Sequence, residues 1–240
     1  MSSVRNTVFT IVYALSVIFY GTLSLTLYVL PTRARHKIIS TWTNFIIWWL
    51  KVSCNISHKL VGAENIKNLQ SPVVVMSKHQ SAWETFFLQT IFWPSSTILK
   101  KELVKIPFFG WGLLGLNPIP IDRSNPREAL KQVKAGGLKR IEDGYNLIIF
   151  PEGTRLAPGE RIKYARSGAD IAVACGADVI PVAHNAGTCW PARKKGKIAG
   201  MIDIHIGQPI STVGKTSKQV IDEVENWIES TMETLPLKQA

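Results

Sequence analysis

His79 and Glu84 stand five positions apart in the run KHQSAWETF, an imidazole followed by a carboxylate. A histidine base needs a lone pair on one ring nitrogen and a partner on the other. A nearby carboxylate supplies that partner, selecting the tautomer and stabilising the imidazolium formed when a proton is taken. A base positioned in this way contributes about 10²–10⁴-fold in rate. Alone, the pair is a weak signal, because such spacing arises by chance and a histidine at a strand end is often structural.

A second run, FPEGTR at residues 150–155, changes the balance. It reads as a turn immediately after a strand, with backbone donors and a cation suited to a phosphate. Gly153 lets the backbone approach a ligand closely. Arg155 can grip a phosphate through two parallel N–H donors. Glu152 is expected to brace the turn rather than react. Arg123, at the end of GLNPIPIDR, is a second candidate phosphate ligand, or else a salt-bridge partner near a helix cap. Lys105, in the cluster Lys100, Lys101 and Lys105, joins them as a third. His184 has no carboxylate at comparable spacing and is taken as structural. Together these residues point to base-catalysed transfer onto an alcohol that carries a phosphate.

Such residues need a scaffold that delivers loops to one edge. From about residue 62, short apolar runs alternate with helical patterns, the signature of an α/β layer fold. Strands are expected at 73–76, 97–99, 119–121, 147–150, 179–182 and 202–206. Helices are expected at 83–92, 128–141, 163–175 and 218–232. The strand at 179–182 contains Pro181, which argues for an edge or a bend. In the helix at 218–232, Glu229 falls with the acidic residues opposite the apolar stripe. The string GWGLLG at 110–115 matches a dinucleotide fingerprint, but prolines on both sides leave no room for the helix that would hold a pyrophosphate. It is expected to be an apolar, flexible loop. Neither a GxSxG elbow nor a P-loop occurs.

Composition places the chain at a membrane. No charge occurs between Asn6 and Thr32. Residues 8–30 as a helix would be ~35 Å long against a hydrocarbon core of ~30 Å. The run is too long for a signal peptide and lacks a small-x-small site before Pro31; a buried core helix is the other reading. Arg33, Arg35, His36 and Lys37 then form a basic collar, which favours the cytoplasmic side. Residues 38–52 follow as a tryptophan-rich amphipathic helix, lying in the membrane interface or packed on the domain. The organisation expected is an anchoring helix pair over 1–57 and a catalytic domain over 58–240. That domain is α/β, with a mixed, largely parallel sheet flanked by helices. The net charge of +11 suits anionic membrane lipid, phosphorylated substrates or an acidic carrier, with Arg193 to Lys197 as one basic patch. No nucleic-acid recognition motif accompanies the charge. Cys54, Cys175 and Cys189 have neither disulfide-framework nor zinc-ligand spacing, and no metal site is expected.

In their order, four runs resemble the blocks of the glycerolipid acyltransferase family, above all its 1-acyl-sn-glycerol-3-phosphate acyltransferase branch. They are His79 with Glu84, Gly115 to Arg123, Phe150 to Arg155 in full, and Val179 to Val182. The resemblance covers roughly residues 73–182. It implies transfer of a fatty acyl group from an acyl thioester, carried by acyl carrier protein or coenzyme A, to the sn-2 hydroxyl of lysophosphatidate. The product is phosphatidate, for phospholipid biosynthesis at the inner (plasma) membrane, and the catalytic domain is expected on the cytoplasmic face. It implies His79 as the base, Arg123 and Arg155 on the phosphate, and amides around Gly153 and Thr154 facing the oxyanion. No cofactor is implied beyond the thioester co-substrate, which is already activated. Glu84 departs from the aspartate usual there, and the extra methylene shifts the carboxylate by about one C–C bond. Glutamate at this place also resembles the lipid A late acyltransferases. Acceptors such as another lysolipid, glycerol 3-phosphate or a lipid A precursor therefore stay open, as do a thioesterase and a catalytically silent lipid-binding scaffold.

Overall fold

The structure, a computed structural model, describes residues 2–192 and 196–238. Its strands are β1 (Ile56–Val61), β2 (Val74–Ser77), β3 (Ser95–Lys100), β4 (Ile119–Ile121), β5 (Asn146–Ile149), β6 (Val179–His184) and β7 (Gly200–Ile206). The helices are α1 (Ser2–Thr26), α2 (Thr32–Cys54), α3 (Trp83–Ile91), α4 (Phe109–Gly115), α5 (Pro126–Glu142), α6 (Ser167–Cys175) and α7 (Ser217–Thr234). The strands form one sheet in the order β1-β7-β6-β2-β5-β3-β4. Neighbours are parallel except β6 and β7, which run antiparallel. The expected mixed, largely parallel sheet is therefore the one that forms.

Side chains along the central strands alternate between two buried faces, which is why these strands are apolar throughout. Val75, Ile148 and Ile180 point into a core shared with Trp42, Ile46 and Leu50 of α2 and Trp83 and Phe86 of α3. Val74, Met76, Leu147, Ile149 and Val179 point the other way, onto Val133 of α5, Ile171 of α6 and Val220, Val224 and Ile228 of α7. Asn125 accepts from the Glu128 N–H at 3.2 Å and Pro126 opens α5, the start expected after Arg123.

Three expectations need correcting. β6 is an interior strand, although it carries Pro181. Its antiparallel ladder to β7 starts at Val182, so the proline falls just outside that ladder. The Gly207 N–H is received by the Pro181 carbonyl, a group that proline retains. Residues 110–115 are helical within α4, not a loop. Gly110 and Gly115 are buried at close approaches to Val104 and Ile39, so the glycines permit packing there. β1 escaped notice because Ser57, His58 and Lys59 break its apolar pattern, as an edge strand allows. The expected boundary at 57/58 falls inside it.

Within the N-terminal helices, Val4–Val29 is long and apolar enough to cross a membrane, with a mean hydropathy of 1.9. That helix suggests membrane association. It does not stand clear of the domain, however. Asn6 accepts from the Lys197 N–H at 2.7 Å, Phe9 meets the Trp190 ring edge-on, and Tyr13 meets Phe86 in the same way. Ser16 accepts from the Trp42 indole at 3.0 Å. Val4, Val8, Ile11, Leu15, Ile18 and Leu25 line the opposite, exposed face at helical spacing. The basic collar is partly structural too. Arg33 donates to the Asp143 carbonyl at 3.0 Å, and His36, buried, pairs through Nε2 with the Ser95 carbonyl at 2.8 Å.

Gly21 is where α1 receives the turn before α4. A Cβ there would overlap the backbone of Phe108, which itself adopts a φ of 61°, rare for an aromatic residue. Backbone cannot swing aside as a side-chain tip can. Gly21→Val is therefore expected to cost about 3 kcal/mol or more and to lower Tm by about 6–12 °C. Limited proteolysis should report α4 released, with new cleavage between Lys101 and Trp111; an unchanged Tm and digest would contradict this packing.

Candidate active site

β2 and β5 are parallel neighbours with Met76 opposite Ile149, so the loops carrying His79 and FPEGTR leave the same edge of the sheet. β4 delivers Arg123 and β6 delivers His184 to that edge as well. In an open α/β sheet the carboxyl ends of the strands are where ligands bind.

The imidazole is fixed from several sides. His79 Nδ1 lies 2.9 Å from Glu84 Oε1. That oxygen also accepts the N–H groups of Gln80 at 2.9 Å and Ser81 at 2.7 Å. An oxygen receiving two amides acts as acceptor to the ring too, so Nδ1 donates and Nε2 keeps the lone pair. Glu84 sits in the first turn of α3, fully buried, where the helix N-terminus favours a negative group. Burial alone would raise its carboxyl. The imidazoles of His184 and His79 and the Ser81 N–H outweigh that and hold it below the usual carboxylate range. The His79 ring stacks on Phe150 at 4.0 Å between centroids, and its side chain remains 14% exposed. The base is therefore oriented yet reachable.

Backbone contacts then tie the four blocks together. The peptide unit joining Lys78 to His79 is held at both ends. Its N–H, from His79, donates to Glu152 Oε2 at 2.8 Å. Its carbonyl, from Lys78, accepts from His184 Nε2 at 2.8 Å. The Ala186 N–H reaches His184 Nδ1 at 3.2 Å, so Nε2 is the protonated nitrogen. Burial depresses this imidazole, against the upward pull of the Glu84 carboxylate and the Lys78 carbonyl. His184 is thus structural, as expected, but it acts directly behind the base. The His79 carbonyl accepts from the Leu156 N–H at 2.8 Å, which seats Arg155 alongside. Arg123 Nη1 donates to the Gly153 carbonyl at 3.0 Å.

Gly153 adopts a φ of 68°, with open space where a Cβ would stand, and its N–H closes the turn onto the Phe150 carbonyl at 3.0 Å. That amide is engaged. Thr154 and Arg155 are exposed beside it. Lys105 is exposed at the end of the 3-10 turn Lys101–Lys105, and among the described residues no contact joins it to Arg123 or His79. Of the patch expected at Arg193 to Lys197, residues 193–195 lie outside the described residues. Lys197 is not a free surface cation: its ammonium lies 4.0 Å from the Phe9 ring centroid, and burial lowers its pKa.

Sequence reasoning missed what lies beneath Glu152. The Lys78 ammonium pairs with Glu152 Oε1 and with Glu229 Oε1, the latter at 2.9 Å. Tyr164 donates to the same Glu229 oxygen at 2.7 Å. Burial pushes the Glu152 carboxyl up to about 7; Lys78 and the His79 N–H pull against this, and Glu229 adds to the rise. Glu229 turns inward from α7 instead of facing solvent, which corrects the expectation from its helical pattern. A lysine directly after the buried strand Val74–Ser77 was the available signal.

A family model described as acyltransferase matches residues 57–185. A 1-acyl-sn-glycerol-3-phosphate acyltransferase of Pseudomonas aeruginosa is 40% identical over 100% of this chain and 95% of its own length. One from Saccharomyces cerevisiae is 26% identical over 90% of this chain and 72% of its own. The crystal structure of the 1-acyl-sn-glycerophosphate acyltransferase PlsC from Thermotoga maritima superposes with a TM-score of 0.80 at 24% identity, covering 98% of this chain and 97% of the other. At that identity the likeness speaks for the fold.

Proposed function

The chain belongs to the acyltransferase family, and from that premise we propose that it acylates the sn-2 hydroxyl of 1-acyl-sn-glycerol 3-phosphate, giving phosphatidate. The observation that carries the reading is the oriented His79–Glu84 pair opening beside two arginines. His79 Nε2 takes the hydroxyl proton as that oxygen attacks the thioester carbonyl. The tetrahedral intermediate collapses, the C–S bond breaks, and the imidazolium returns its proton to the departing thiolate. Glu84 holds the tautomer and steadies the imidazolium throughout.

Arg123 and Arg155 hold the phosphate, with Lys105 adding charge at longer range. Of the two amides considered for the oxyanion, Thr154 is the candidate, since the Gly153 N–H already serves the turn. An activated thioester and an alcohol need a base and no bound cofactor. The donor is an acyl thioester of acyl carrier protein or coenzyme A, both acidic and suited to a chain of net charge +11. The contacts running from Asn6 to Gly21 favour helices lying in the bilayer interface over a full crossing, with the apolar stripe of α1 facing lipid. The basic residues at the α1–α2 turn suit the anionic cytoplasmic leaflet of an inner membrane.

Product analysis tests this. The detergent-purified chain is incubated with a panel of lysolipids and with both thioester donors, and products are identified by mass spectrometry. Phosphatidate from lysophosphatidate is the expected result. Free fatty acid without phosphatidate would point to transfer to water. Lipid binding with neither product would point to a scaffold, and another acylated lysolipid would replace the acceptor.

A further inference from the structure

Lys78 is 1% exposed, and Glu229, its partner from α7, is 8% exposed. One ammonium shared by two buried carboxylates is costly to desolvate, and exchanging such groups for apolar ones is often neutral or stabilising. Stability therefore does not account for them. Their connection does. Lys78 immediately precedes the base, and its ammonium grips Glu152, whose other oxygen fastens the His79 N–H. Glu229 holds the ammonium from beyond, and Tyr164 holds Glu229. Arg161 Nε stands 3.8 Å from the second Glu229 oxygen, half-exposed at the rim. Glu229 lies outside both the four blocks and the matched segment 57–185.

We propose that Lys78, Glu229 and Tyr164 are positioning residues for the base, holding Glu152 in the orientation that fixes the His79 peptide plane. With the carbonyl end already pinned by His184, the plane can tilt only if the Glu152 end loosens. A reacting group must be held within about 0.5 Å and 10–20°, and a misplacement of about 1 Å can cost about a hundredfold in rate. α7 is then part of the catalytic apparatus, although it touches no substrate.

The proposal rests on acyl transfer to lysophosphatidate, and wild-type product formation in the same assay checks that reading separately. Lys78→Met, Glu229→Gln and the double variant are compared in the full chain with acyl-coenzyme A and lysophosphatidate. Lys78→Met is expected to lower kcat about 10- to 100-fold, with both KM values within about twofold, because the phosphate ligands are untouched. Glu229→Gln should lower kcat by about 3- to 10-fold, and the double variant should be no worse than Lys78→Met, since both act through Glu152. Any of three results overturns the proposal: kcat within about twofold of wild type, a change confined to KM, or multiplicative losses in the double variant. Should Lys78→Met not fold, Glu229→Gln and Tyr164→Phe decide in its place, as both keep their shape. Unchanged kcat in both would refute the brace.

Discussion

His79→Ala is expected to lower kcat at least about a hundredfold while the protein stays on membranes. The size follows from the geometry around the ring. Glu84 Oε1 accepts the hydrogen bond from the Nδ1–H at 2.9 Å, so the basic lone pair of the imidazole is presented at Nε2. Alanine removes the proton acceptor and leaves no neighbour to replace it: the Glu84 carboxylate is fully buried and already receives two amides. The apolar helix Val4–Val29, which suggests membrane association, is far from this loop in the chain, so flotation should persist. The measurement is steady-state acyl transfer beside a flotation assay with vesicles containing anionic lipid. Full activity in the variant would remove His79 from the mechanism; activity lost together with flotation would mean that the fold had failed instead.

The second large effect is expected in substrate affinity. Arg155→Ala should raise the KM for lysophosphatidate by about tenfold or more, while the KM for the thioester changes little. Arg155 is exposed, and the bond from the Leu156 N–H to the His79 carbonyl ties the backbone beside it to the loop that carries the base. Its guanidinium can therefore give two parallel donors to a phosphate whose glycerol hydroxyl reaches Nε2. Arg123 is partly committed to the Gly153 carbonyl, so its loss should disturb the turn as well as the phosphate. An unchanged lysophosphatidate KM for Arg155→Ala would place the phosphate elsewhere.

Much of the site was legible because its chemistry is local in the chain. Five positions are enough for Glu84 to fold back on His79, and a strand ending in Pro-Glu-Gly makes its own turn. The same locality explains the helix start at Asn125 and the apolar runs of the central strands. What escaped was whatever depended on a distant neighbour. GWGLLG looked like a flexible loop because the prolines on both sides argued against room for a helix, yet α4 forms there, packed among α1, α2 and the 3-10 turn. Pro181 argued for an edge or a bend, and only the start of the β7 ladder at Val182 shows how an interior strand accepts it. Glu229 looked solvated because its helix neighbours are.

By itself the sequence determined the candidate reacting groups, the order of the four blocks, the alternating sheet pattern and an apolar helix suited to a membrane. These follow from the spacing of side chains along one strand, helix or turn, which the chain carries without reference to the rest. Tertiary structure decided which of those groups meet. β2 had to lie between β5 and β6 before Glu152 and His184 could grip opposite ends of one peptide. α7 had to pack beneath them before Glu229 could reach Lys78 across 151 positions. The physical reason is that a buried charge settles where its partner is, and the partner's place is fixed by sheet order rather than by sequence neighbourhood.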